Sequence, residues 1–95
     1  MEIKKSSVAG TLESSDIMIT LEQGNGSIDI ELQSIVEKQF GREIHRAITE
    51  TLEELSVKNA KVIAVDKGAL DCTIRARTKT AVYRSNGETP YLWKV

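Results

Sequence analysis

Val36, Phe40, Ile44, Ala47, Ile48, Thr51, Leu52 and Leu55 recur at spacings of three and four, and this pattern constrains the chain more than any other. Such spacing collects the apolar side chains on one stripe of a helix. Lys38, Arg42, Glu43, Arg46, Glu50 and Glu53 fall mostly outside the stripe. A helix that is apolar on one side must bury that side against another layer. Ser34-Ile35-Val36-Glu37 has the form of a capping box, with Ser34 as N-cap and Glu37 reaching back, so the helix is predicted over about 34–56. Gly41 lies inside it at about 1 kcal/mol against alanine, for which close packing of helix on sheet is one reason. Asn59 is suited to stop the helix in a left-handed conformation.

The partner layer is a sheet. Val8, Gly10 and Leu12 alternate weakly with Ala9, Thr11 and Glu13, and Ile17, Ile19 and Leu21 alternate more strongly with Met18, Thr20 and Glu22. Gly24-Asn25-Gly26 tolerates the positive φ of a hairpin turn, after which Ile28, Ile30 and Leu32 alternate with Asp29 and Glu31. Beyond the helix, Lys61 to Asp66 alternates, Lys67-Gly68 marks a turn, and Leu70, Cys72, Ile74 and Ala76 alternate again. These read as a second hairpin. Thr78 to Ser85 is open between a continuation of that strand and a short helix, and Gly87 to Val95 reads as an extended tail.

The predicted class is α+β: a mostly antiparallel sheet in the order β-β-β-α-β-β, with the long helix packed on one face, in one domain over residues 1–95. The other face is expected to be polar, with Glu22, Asp29 and Glu31 pairing with Arg75 and Arg77 on neighbouring strands.

With 95 residues the domain has little room for a deep substrate pocket. A net charge of −1 argues against a nucleic-acid or anionic-membrane binder. No apolar run approaches the roughly 18 residues that span a bilayer. The start, Met1-Glu2-Ile3-Lys4-Lys5, lacks the apolar stretch of a secretory signal, and the single Cys72 forms no internal disulfide, so a reducing cytoplasm is expected.

Catalytic chemistry is sparse. A hydrolytic triad requires a base, and the sole histidine, His45, reads as an ordinary surface or boundary residue. Cys72 reads as a small buried hydrophobe, and no metal-ligand spacing occurs. Arg75, Arg77 and Lys79 read as a solvated strand face, with docking of a partner or of phosphates as the lesser alternative. Glu50, Glu53 and Glu54 near the helix C-terminus read as tolerated surface charge. What remains is Val8-Ala9-Gly10-Thr11-Leu12-Glu13-Ser14-Ser15-Asp16, a strand running into a polar turn. A serine hydroxyl in an exposed turn is open to modification by another enzyme, which brings its own base.

The same segment, Val8 to Ser14 followed by Asp16, closely resembles the N-terminal signature of the citrate lyase acyl carrier proteins, the gamma chains. Val36-Glu37-Lys38-Gln39-Phe40-Gly41 is similar to that family's helix start. Asp66 to Cys72 with Ile74-Arg75-Ala76-Arg77 is similar to its second hairpin, and Gly87, Pro90 and Trp93 to its tail. The resemblance implies that Ser14 carries phosphoribosyl dephospho-coenzyme A through a phosphodiester, and that the chain itself is not an enzyme. It implies alpha (transferase) and beta (lyase) subunits as partners. The first exchanges acetyl for citryl on the carrier's thioester, and the second releases oxaloacetate, so that citrate becomes acetate and oxaloacetate. A holo-carrier-forming transferase and an acetylating ligase are implied as further partners, and nucleic acid and membrane are not. The rivals are the acyl carrier subunit of malonate decarboxylase, a fatty-acid type carrier, and a small interaction module without a prosthetic group. The Glu-Ser-Ser sequence and the strand content disfavour the fatty-acid type. Arg75, Arg77 and Trp93 are the expected docking residues.

Overall fold

The computed structural model describes residues 1–87. The expected tail, with Pro90 and Trp93, lies outside the described residues. Six elements follow one another: β1 (Ser7–Ala9), β2 (Ile17–Glu22), β3 (Ile28–Ser34), α1 (Glu37–Glu54), β4 (Ala60–Asp66) and α2 (Asp71–Asn86). The strands form one sheet in the order β1-β2-β4-β3. β1 pairs with β2 and β2 with β4 antiparallel, while β3 runs parallel to β4. Both helices cover the same face. The α+β class, the mostly antiparallel pairing and the long helix on one face agree with the sequence reading.

Alternation selects which side of each strand meets the helices. Ile17, Ile19 and Leu21 of β2 and Ala60, Val62 and Ala64 of β4 are buried against Ile44, Ala47, Ile48 and Leu52 of α1 and Ile74, Ala81 and Val82 of α2. On the open face Met18 stands beside Val65, Thr20 beside Ile63, and Glu22 beside Lys61. The expected pairing of Glu22, Asp29 and Glu31 with Arg75 and Arg77 does not form, and a different pair stands there. Lys61 reaches Glu31 across the β3–β4 pair at 3.6 Å, whereas Arg75 and Arg77 lie on α2, behind the sheet.

The hairpin expected at Gly24-Asn25-Gly26 does not form, because β4 lies between β2 and β3. β4 is apolar on both sides, with Val62 and Ala64 inward and Ile63 and Val65 outward, which suits a central strand. β3 carries Asp29, Glu31 and Gln33 on its exposed side and suits an edge. The connection from β3 to β4 contains α1, and a helical crossover delivers a parallel neighbour. The glycine turn is a corner laid over the start of β4. A Cβ on Gly24 would come within 2.8 Å of the Ala60 nitrogen, and the Gly26 amide donates to Asn59 Oδ1 at 2.7 Å. Asn59 therefore fixes this corner. The left-handed residue after the helix is Ser56, with φ of 59°.

The second hairpin is also absent, since Leu70 to Arg77 enters α2. Ile74, Thr78, Ala81, Val82 and Ser85 are its buried residues, and their spacing is helical. Two of the five are hydroxyl residues, which thinned the apolar signal and let the chance alternation of Leu70, Cys72, Ile74 and Ala76 dominate. Each hydroxyl is satisfied within the helix: Thr78 Oγ1 donates to the Ile74 carbonyl at 2.8 Å and Ser85 Oγ to the Val82 carbonyl at 2.7 Å. Cys72, expected in the core, is exposed. The short helix left open for Thr78 to Ser85 is the second half of α2, which Gly87 ends with φ of 85°.

α1 starts later than expected, and no capping box closes it: Val36 is the N-cap and makes no side-chain cap bond. Ser34 is instead the last residue of β3, where its hydroxyl donates to Asp66 Oδ2 at 2.8 Å and accepts from the Val36 amide at 3.1 Å. Gly41 is not required by packing. The nearest sheet atom to an added Cβ is Leu32 Cδ2, at 4.0 Å.

Candidate functional site

Ser14 sits in the turn between β1 and β2, exposed to solvent. The turn closes with the Asp16 amide donating to the Glu13 carbonyl at 3.1 Å, which makes Ser14 and Ser15 its two central residues. Ser15 adopts φ of 65°, at a cost of roughly 1 kcal/mol for a residue with a Cβ. Bonds to other elements hold it there. The Ser15 amide donates to the Lys67 carbonyl and the Lys67 amide to the Asp16 carbonyl, both at 2.8 Å. The turn is thus stitched to the end of β4, while Ser14 takes no part in these bonds.

Below the turn is a buried carboxylate. Asp16 is only 8% exposed. Its Oδ1 accepts from Arg77 Nε at 3.0 Å and from the Ile17 amide at 2.7 Å. Its Oδ2 accepts from Arg77 Nη2 at 2.9 Å and from Thr11 Oγ1 at 2.7 Å. Thr11 Oγ1 in turn accepts from the Glu13 amide at 3.2 Å. The two-point bond from Arg77 holds the Asp16 carboxyl down at about 2, against the opposing effect of burial and with help from Thr11 and the Ile17 amide. A carboxylate so acidic and so fully bonded is a structural anchor and a poor proton acceptor for Ser14.

Gly10 allows the loop to close over this anchor. It has φ of 96°, and a Cβ there would lie 1.8 Å from the Ile17 carbonyl oxygen and 3.3 Å from Arg77 Cδ. Neither requirement was visible in the sequence reading, which treated Asp16 only as part of a signature and Arg77 as a solvated or docking residue. Arg77 is spent on Asp16. Arg75, the other expected docking residue, bonds Asp71 at 2.7 Å and Glu50 at 2.8 Å. Trp93 is outside the described residues.

The remaining candidates take no part in the turn. His45 is exposed on α1, as expected of an ordinary surface residue, and Cys72 is exposed on the first turn of α2. Among the described residues no group of three or more histidine, cysteine or carboxylate side chains is arranged to hold a metal ion, and no helix is long and apolar enough to cross a membrane. The site is a turn seated by hydrogen bonds to Lys67 and Arg77, with the exposed Ser14 and Ser15 at its centre.

The chain is similar over most of its length to known acyl carrier proteins. The family model described as the acyl carrier protein of malonate decarboxylase, its delta subunit, matches residues 4–85. A citrate lyase acyl carrier protein of Oenococcus oeni is 58% identical over 96 residues, covering 100% of this chain and 99% of the relative. One from Lactiplantibacillus plantarum is 57% identical over 100% of this chain and 99% of its own length. Another, from Streptococcus uberis, is 57% identical over 99% of this chain and 93% of its own. Identity at this level over the full length places the chain in the family of the citrate lyase acyl carrier proteins.

Proposed function

We propose that Ser14 is the attachment point through which this carrier holds phosphoribosyl dephospho-coenzyme A, in a phosphodiester on its Oγ. The observation that supports the reading is the turn itself: Ser14 and Ser15 are exposed at its centre, and the backbone around them is fixed by hydrogen bonds, while the choice of Ser14 over Ser15 rests on the family resemblance. When bound, the prosthetic group supplies a thiol that carries an acyl group as a thioester. The protein contributes presentation. A hydroxyl in a rigid turn gives a loading enzyme a fixed target, and the backbone amide of Ser15 in the same turn is tied to Lys67.

Loading forms the bond from Ser14 Oγ to a phosphorus of a phosphoanhydride-activated donor. The bond from that phosphorus to the anhydride oxygen breaks, the remaining phosphate or diphosphate leaves with that oxygen, and the hydroxyl proton passes to a base of the loading enzyme. Asp16 is excluded as that base because Arg77 holds its carboxylate and keeps its pKa near 2. Once loaded, the tethered arm keeps the acyl group at high effective concentration near the active sites of the transferase (alpha) and lyase (beta) subunits, and so supports cleavage of citrate to acetate and oxaloacetate. An acetylating ligase would restore the acetyl thioester after loss.

Intact mass followed by peptide mapping tests the assignment, on protein from cells that are cleaving citrate. A mass increment equal to the prosthetic group, on the peptide containing Ser14, is expected. An unmodified chain from such cells overturns the reading. The description of the matching family model favours a second reading, a malonate decarboxylase carrier. The full-length identity to citrate lyase carriers favours the first. Transfer of citryl or of malonyl to the loaded chain by the respective purified transferase separates the two.

A further inference from the structure

The domain presents an apolar surface at the same end as Ser14. The pairings of Asp66 with Ile17 and with Ser34 bring the start of β2, the end of β3 and the end of β4 side by side. α1 and α2 both begin at this end, shortly after Ser34 and Asp66. Three large apolar side chains remain uncovered here: Ile35 and Leu70, each 70% exposed, and Phe40, 50% exposed. Leu12, 52% exposed, stands in the Ser14 loop itself. Between the two helix starts runs a groove of about 350 Å³ whose apolar walls are Val36, Phe40, Ile44, Leu70 and Ile74. Its floor includes Gly68, the residue after Lys67, whose backbone is bonded to Ser15 and Asp16. Groove and serine turn therefore adjoin through Lys67 and Gly68.

We infer that this apolar end is the docking surface for the enzyme that loads Ser14, an inference that rests on Ser14 being the attachment point. Direct contact is unavoidable for that enzyme. Before loading there is no flexible arm, so its base and its donor phosphate must come to the hydroxyl of a turn held by Lys67 and Arg77. Exposed apolar side chains next to a reaction centre are what a partner must cover to exclude water from it. Charge indicates the partner's chemistry. Among the described residues the groove's charged lining is Glu43 and Asp71; Glu13 adjoins Ser14, and Lys67 stands between turn and groove. Asp71 is partly neutralised by Arg75 at 2.7 Å. An enzyme that binds a polyanionic phosphoanhydride donor carries cations around its active-site mouth, and those cations match an acidic rim. The partner surface is then an apolar projection fitting between Phe40 and Leu70, flanked by lysine or arginine.

The test is steady-state loading by the purified loading transferase and its activated donor, followed by intact mass. The substrates are the full-length wild-type chain, Phe40→Ser, Leu70→Ser, Glu43→Lys, and Glu22→Gln as a control on the open sheet face. Truncating an anchor of this kind weakens binding by roughly tenfold, so the KM for the carrier rises about that much in the two serine variants, with kcat little changed. Glu43→Lys raises KM as well, and its effect fades as salt is added. Glu22→Gln behaves as wild type. Phe40 and Leu70 are exposed, so unfolding midpoints should stay at the wild-type value. A rise of at least threefold in either serine variant supports the inference. Wild-type loading at Ser14, with both serine variants below threefold, overturns it and leaves the attachment site standing. No mass gain by the wild-type chain overturns the attachment site first.

Discussion

Replacing Arg77 with methionine keeps most of the aliphatic stem and removes the two hydrogen bonds to Asp16. Holding the Asp16 carboxyl at about 2, against 3.8 in an unstructured chain, corresponds to roughly 2 kcal/mol of stability at neutral pH. Arg77 is 40% exposed, so solvent screening makes that an upper figure. The sign follows from the depressed pKa. This contribution is fully present above pH 4 or so, where the unfolded chain is also ionised, and is lost as pH falls through about 2. Urea unfolding of wild type and Arg77→Met between pH 7 and pH 2 is the assay. The stability gap should be about 2 kcal/mol at pH 7 and well under 1 kcal/mol at pH 2. A gap of the same size at both ends would refute the reasoning, because it would show that Arg77 acts through packing of its stem and not through the carboxylate.

Three further outcomes follow from the same geometry. Ser14→Ala should abolish the mass increment and change stability by less than about 0.5 kcal/mol, measured by intact mass and urea unfolding, since an exposed turn hydroxyl supports nothing beneath it. Gly10→Ala should destabilise by more than about 2 kcal/mol in the same unfolding experiment, because its Cβ would overlap the Ile17 carbonyl at positive φ. Gly41→Ala should raise the thermal midpoint, gaining up to about 1 kcal/mol, because the only tight neighbour of the new methyl is the movable Glu37 Cγ at 3.1 Å.

The long helix and the two apolar strands beside it were legible because their side chains obey one period throughout. β4 was legible as a strand, but its place in the sheet was not. Gly24-Asn25-Gly26 has the composition of a hairpin turn, and only the two-sided apolar character of Val62, Ile63, Ala64 and Val65 marks β4 as the central strand. α2 was misread because Thr78 and Ser85 occupy buried positions that a search for apolar residues passes over. At the site, the expectation for Ser14 comes from family resemblance, and the anchor beneath its turn was not legible. Nothing in the spacing of Asp16 and Arg77, 61 residues apart, announces a contact. A buried carboxylate and the arginine that reaches it become a pair only when α2 packs behind β2.

The turn around Ser14 is assembled from three separate stretches of chain: Thr11 to Asp16, the Lys67 backbone, and the Arg77 guanidinium. A ribosome releases these stretches in that order, so a nascent chain displays the serine long before it displays the shape around it. That shape is complete only after α2 has closed over the sheet, so it distinguishes a folded chain from an unfinished or misfolded one.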